Sequence, residues 1–291
     1  MRCAVALLTV CLALAPFIAH AEVRITDDAG RTVVLAAPAQ RVISLGPHLT
    51  ELAYAAGGAA AMVGAIRYSD FPEAARALPI VGDAHAIDFE RIVQLKPDLV
   101  LVWGSGLNER HKARLRSLGL TVYESEIRQA QGIPDTLRRL GTLLGRADVA
   151  ETAARRFEVQ WQALTERHRG KPAVRVFWQL WHEPLMTINR EHLISEAMRT
   201  CGGVNVFAEL LLLTPSVSWE AALAADPQLI AGSGRKEDAS RDFAAWRRLG
   251  KNVDAVKQQG FTVIDGNLIG RMGPRFIEGA STLCEAIDKV R

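Results

Sequence analysis

Residues 147–169 read ADVAETAARRFEVQWQALTERHR, a stretch with no glycine and no proline. A run of that length makes about six helical turns. Val149, Ala153, Ala154, Phe157, Trp161 and Leu164 recur at i, i+3, i+4 spacing, which predicts a helix with one buried face. Glu151, Arg155, Arg156, Glu158, Glu166 and Arg167 occupy the remaining surface. Gly170 ends the helix and Pro172 cannot restart it. An unbroken helix this long is a rigid spar, and its flanks say what it joins.

Both flanks alternate short apolar strands with helices. Before the spar, strands are predicted at 41–45, 62–66, 99–103 and 120–123, with helices at 50–56, 88–95 and 109–117. After it, strands are predicted at 173–178, 229–231 and 261–264, with helices at 191–201, from Ser218, at 243–259 and from Pro274. Alternation of this kind builds α/β units on mainly parallel sheets. The two flanks also match each other. Residues 88–100 align with 218–230 without a gap, 119–123 with 260–264, and Glu51 to Gly57-Gly58 with Glu196 to Gly202-Gly203. Three matches in one order indicate a duplicated lobe.

The expected organisation is therefore an α/β fold of two similar lobes joined by one long helix, with a ligand cleft between them. Residues 22–39 form an exposed leader hairpin around Asp27-Asp28-Ala29-Gly30, 40–130 the first lobe, 131–171 a helical linker and 172–291 the second lobe. A helical connection limits the swing of the lobes, so closure is expected to be small.

The first residues stand outside this fold. A short positive start at Met1-Arg2, an apolar run from Cys3 to Ala15 and Ala19-His20-Ala21 read as residues 1–21 of a secretory signal peptide, cleaved after Ala21 for export to the periplasm. The run is too short for a membrane anchor and is broken by Pro16. Cys11 lies in mid-run after Val10, which is a poor lipidation site. Without Arg2 the 35 basic and 32 acidic residues become 34 and 32, a net charge of +2. That small excess argues against nucleic acid as a partner. Of the four cysteines, Cys201 and Cys284 remain. A disulfide is the simplest reading of an even pair in an exported chain, with buried thiols or half a metal site as alternatives. No Gly-x-Ser-x-Gly, P-loop or His-Glu-x-x-His motif points to catalysis.

Several segments carry a family resemblance: Thr50-Glu51-Leu52-Ala53, residues 68–72, 90–93 with 95–100, Cys201-Gly202-Gly203, and Pro274-Arg275 followed by Leu283-Cys284. With them the chain resembles the periplasmic substrate-binding proteins of ABC importers, in the helical-backbone class that handles metal chelates, and within it the cobalamin-binding branch. The resemblance implies a monomer, not an enzyme, without a cofactor of its own. It would capture a corrinoid and deliver it to an ABC permease dimer in the inner membrane. It implies a Cys201–Cys284 disulfide and places Tyr68, Ala84, His85, Trp103, Leu180, Trp181, Thr214, Asn267 and Arg271 at ligand-lining positions. It also gives Glu90 and Glu220, equivalent residues of the repeat, the role of docking on permease arginines; without it each is a carboxylate suited to a helix N-terminus.

The chain departs from the family pattern in its cleft. Ala84 and Thr214 stand where the family has tryptophans, Asn267 replaces an acidic residue, and Trp181-His182 adds an aromatic and an imidazole. His85 is the candidate ligand for the chelated metal, and His48, after Pro47, is a second imidazole within reach of the cleft. Haem or a ferric siderophore is the alternative ligand. A siderophore calls for a basic cluster, for which Arg67, Arg271 and Arg275 are the candidates. A chelatase-type enzyme using His85 as base is the alternative of another class.

Overall fold

The computed structural model describes residues 22–83, 85–234 and 243–291. The expected signal peptide at 1–21 and Ala84 lie outside the described residues.

Strands β1 (Val23–Thr26) and β2 (Thr32–Leu35) form the antiparallel leader hairpin. It is less exposed than expected. Val33 and Leu35 are buried, the Asp28 amide donates to the Glu124 carbonyl, and Arg139 holds the Asp28 carboxylate at 2.6 Å. The hairpin is thus fixed to the first half of the molecule.

That half is built from β3 (Val42–Leu45), α1 (Pro47–Ala55), β4 (Met62–Ala65), α2 (Phe89–Gln94), β5 (Leu99–Trp103), α3 (Glu109–Ser117) and β6 (Val122–Ser125). Its four strands are parallel, in the order β4-β3-β5-β6. Helices α4 (Gly132–Leu143) and α5 (Ala147–His168) follow. The second half contains β7 (Val174–Gln179), the hairpin β8 (Trp181–His182) and β9 (Leu185–Met186), then α6 (Leu193–Thr200), β10 (Gly203–Asn205), α7 (Trp219–Ala224) and β11 (Leu229–Gly234). Then come α8 (Ala244–Leu249), α9 (Asp254–Lys257), β12 (Phe261–Asp265), α10 (Gly266–Ile269) and α11 (Phe276–Lys289). Its parallel sheet runs β10-β7-β11-β12, the same order by position as the first. Central strands such as β5, LVLVW, are apolar throughout because helices cover both faces.

The repeat extends to local chemistry. The Asp88 carboxylate caps α2 through the Arg91 amide, and the Ser218 hydroxyl caps α7 through the Ala221 amide. Lys96 and Asp226, each before a proline, share the left-handed backbone region at φ 47° and 42°. Gly57 and Gly202 take φ 84° and 75° at the ends of α1 and α6, where a side chain would be strained.

Helix α5 lies against both halves, packing on α1 and α4 on one side and on α6 and α11 on the other. Ala150, Ala153, Ala154, Phe157 and Leu164 are buried, while Val149, expected on the buried face, is half exposed. Trp161 packs between Phe157 and Phe276. Arg138 of α4 bridges Glu151 and Glu158, both at 2.7 Å, which fixes the register of α4 on α5. Among the described residues no helix is long and apolar enough to cross a membrane. The expected helix at 243–259 is two pieces: Gly250 ends α8, and the Ala255 amide bonds back to the Pro227 carbonyl.

Candidate functional site

Loops leaving the carboxyl ends of the parallel strands meet where the two halves adjoin. The carboxyl edge of an α/β sheet is where such folds bind ligands. After β4 the chain turns through Tyr68 with φ 68°, a left-handed conformation that a tyrosine adopts only when its surroundings impose it. The Tyr68 carbonyl accepts a 3.1 Å bond from Arg271, and the Ser69 amide bonds back to the Ile66 carbonyl. The result is a tyrosine ring 72% exposed.

On the other half, β7 runs into Leu180, whose amide bonds to the Met186 carbonyl, and then into the β8–β9 hairpin. That hairpin presents Trp181, 56% exposed, with its indole N–H donating to the Glu183 carbonyl. The segment 210–216 lies beside the hairpin: the Asn189 and Thr187 amides donate to the Leu213 and Pro215 carbonyls, and Ser216 bridges Met186. Thr214 is half-buried in it, whereas Leu211 and Leu212 are 97% and 69% exposed. A run of four leucines reads as core, and sequence reasoning passed it over. Asn267 is exposed at the start of α10.

His85 sits on an exposed turn held by its own amide and that of Ala86 donating to the Asp83 carboxylate. Its imidazole is open to solvent. His48 differs from expectation. Instead of facing the cleft it is 3% exposed, edge-on to Trp103 with ring centroids 5.3 Å apart, and its Nε2 has no hydrogen-bond partner. Trp103 is half-buried over Gly106, where even a methyl group would collide with the indole.

Burial, with Arg271 nearby, lowers the His48 pKa from 6.5 to about 3. Below pH about 6.5 the unfolded chain takes up a proton that the folded chain refuses, so this contribution to stability is complete above that pH and is lost as the pH falls. His192, lowered to about 4 by burial, acts in the same direction. Denaturation in urea should show stability falling as the pH drops from 7 to 5, with a slope that steepens toward roughly 1.4 kcal/mol per pH unit for each histidine near pH 5. A His48→Gln variant should lose its share of that slope; an unchanged slope contradicts the burial.

The most connected group between the halves is one that sequence reasoning did not assign to the site. The Glu51 side chain in α1 is 1% exposed. One oxygen accepts from Arg271 at 2.9 Å and from Arg275 at 2.7 Å, and the other from Arg275 at 2.9 Å. Arg271 also holds Asp70 at 2.7 Å, and Arg275 stacks 3.8 Å over the Phe71 ring. Arg271 and Arg275 are therefore engaged across the seam, and Arg67 lies 3.9 Å from Asp83. The signal for Glu51 was its match to Glu196 in the repeat.

Glu90 and Glu220 are exposed at the second positions of α2 and α7 and enter no salt bridge among the described residues. The Glu220 backbone amide and the Ser218 hydroxyl lower the Glu220 pKa. Cys201 and Cys284 are joined in a disulfide that ties the end of α6 to α11. Among the described residues no group of three or more His, Cys, Asp or Glu side chains is placed to hold a bare metal ion.

Residues 42–268 match the periplasmic binding protein family. The chain belongs to that family. Two of its members are similar along most of their length. The vitamin B12-binding protein of Vibrio cholerae serotype O1 is 35% identical over 247 residues, 85% of this chain and 88% of that protein. Its counterpart from Salmonella typhimurium is 36% identical over 252 residues, 87% of this chain and 91% of that one. The solved periplasmic vitamin B12 binding protein BtuF of Vibrio cholerae superposes with a TM-score of 0.79 at 33% identity, covering 87% of this chain and 98% of that one. The periplasmic heme-binding protein RhuT from Roseiflexus shares the fold, with a TM-score of 0.76 at 21% identity, over 87% and 99% of the two chains. As a periplasmic binding protein the chain is of a class that binds solutes and does not transform them, and that serves transport.

Proposed function

We propose that the protein captures a corrinoid, cobalamin or a precursor, in the cleft between its halves and delivers it to an ABC permease. The observation that carries this reading is the pair of exposed aromatic faces, Tyr68 on one half and Trp181 on the other, at the carboxyl ends of the two sheets. A large flat macrocycle gains area and stacking from such faces. Leu211 and Leu212 add apolar surface beside Trp181. The two relatives at 35% and 36% identity are vitamin B12-binding proteins, which favours a corrinoid over haem. A ferric siderophore fits less well, because Arg271 and Arg275 already pair with Glu51. In this reading Glu90 and Glu220 meet the permease, the chain is exported with cleavage after Ala21, and it works as a monomer.

Titration of residues 22–291 with cyanocobalamin, cobinamide, haemin and a ferric siderophore tests the ligand. Saturable one-to-one binding of a corrinoid is expected; no corrinoid binding below the millimolar range overturns the reading. Tyr68→Ala and Trp181→Ala should each weaken cyanocobalamin binding about tenfold, from lost stacking and lost area. Full affinity in both variants would mean the ring sits elsewhere.

We also propose that His85 ligates the chelated metal. Its open imidazole supports this, and exposed histidine nitrogen suits cobalt or iron. Aquocobalamin should shift its absorption on binding, and His85→Ala should remove the shift. A shift that persists in the variant removes the assignment.

A further inference from the structure

Two carboxylates cross the seam, and they occupy the same position of the two halves. Glu51 stands in α1 as Glu196 stands in α6, each six residues before a Gly-Gly pair. Each reaches the segment that leads from the last strand of the opposite half into its next long helix. Glu51 meets the segment between β12 and α11, through Arg271 and Arg275. Glu196 meets the segment between β6 and α4, through the Ala130 amide at 2.7 Å.

The two contacts guard opposite ends of the cleft. β4 and β6 are the two edges of the first sheet, and β10 and β12 the two edges of the second. The loop after β4, with Tyr68, Asp70 and Phe71, faces the segment after β12. At the other end, Ala208 and Glu209 after β10 share a cavity of about 690 Å³ with Arg128 and Gln129 after β6.

The contacts differ greatly in strength. Glu51 is buried between two guanidinium groups, and removing its carboxylate leaves Arg275 without its charge partner at the seam. Arg271 carries the connection on to Asp70 and the Tyr68 carbonyl. Glu196 has one backbone hydrogen bond across the seam, and burial raises its pKa. A single bond of that kind is readily exchanged for water.

We propose that Glu51 is a positioning residue: it pins the β4/β12 end of the cleft and holds the Tyr68 loop through Arg271, so that the halves part at the β6/β10 end, where the tie among the described residues is the single Glu196 hydrogen bond, to admit the ligand. The opening is a one-sided gape of small amplitude, with α5 as its back. It rests on the corrinoid reading for the choice of probe alone.

Paired spin labels test it. Cysteines replacing Glu73 and Glu278 report on the pinned end, and cysteines replacing Gln129 and Glu209 on the free end; all four positions are exposed, and the native Cys201 and Cys284 are already bonded to each other. In the ligand-free protein the Gln129/Glu209 distance distribution should be the broader. Cyanocobalamin should narrow it and leave the Glu73/Glu278 distribution unchanged. Glu51→Gln should broaden the Glu73/Glu278 pair and raise the cyanocobalamin dissociation rate about tenfold or more, whereas Glu196→Gln should change that rate less than about threefold. Arg275→Lys, which keeps the charge but loses the two-pronged contact, gives the same sign more gently should Glu51→Gln fail to fold. Equal widths at both ends of the free protein, or a ligand response confined to the Glu73/Glu278 pair, overturns the proposal. A failure to bind cyanocobalamin refutes the corrinoid reading instead, because the free-protein widths still decide this one.

Discussion

Reversing the charge at both Glu90 and Glu220, to lysine, is expected to abolish uptake of cyanocobalamin through the permease while leaving its affinity for the purified protein within about twofold. Both carboxylates are exposed in the first turn of matching helices. Their caps, Asp88 and Ser218, hold the helix starts without them, so the reversal costs about 0.3–1 kcal/mol of stability per site through the helix dipole. A duplicated acidic knob is suited to a two-fold partner, and a like charge placed against a cationic docking pocket costs several kcal/mol. Each single reversal should reduce uptake without eliminating it. Uptake that survives the double reversal contradicts the docking role, and a loss of binding would show that the helices had shifted.

Removal of the disulfide is the second large effect. Cys201 and Cys284 are 83 residues apart in sequence and both are buried. On the chain-entropy model, opening a loop of that size lowers the unfolding free energy by about 4–5 kcal/mol. The bond fastens the end of α6 to α11, and Arg291 adds a hydrogen bond to the Cys201 carbonyl. Guanidinium denaturation of the Cys201→Ala/Cys284→Ala protein should show the loss as a lower midpoint. A change below about 1 kcal/mol would mean that α6 and α11 are held by their packing alone.

Much of this fold is legible in the sequence because its signals are local. The spar needs only an apolar rhythm without glycine or proline. Asp88 and Ser218 announce helix starts, and Gly57 and Gly202 announce helix ends. The repeat then explains why both sheets have the same strand order. What escapes is set by contacts between distant residues. Glu51 meets Arg271 across 220 positions, and nothing in the local pattern of Thr50-Glu51-Leu52 says that its carboxylate is buried between arginines. Val149 follows the helical rhythm and is nevertheless half exposed, because the partner face of α5 begins at Ala150. His48 looks open after Pro47 but lies under the edge of Trp103. The leucines at 210–213 carry a core composition on a surface segment that backbone bonds to Asn189 and Thr187 hold beside the hairpin.

One corrinoid is expected between the two halves, with its ring between Tyr68 and Trp181. The most direct measurement is an anomalous difference map at the cobalt edge from crystals of the protein grown with cyanocobalamin. One cobalt peak per molecule is expected, between the loop after β4 and the β8–β9 hairpin. No peak, or a peak in the groove of about 500 Å³ that Tyr54, Phe157 and Arg275 line beside α5, would contradict it.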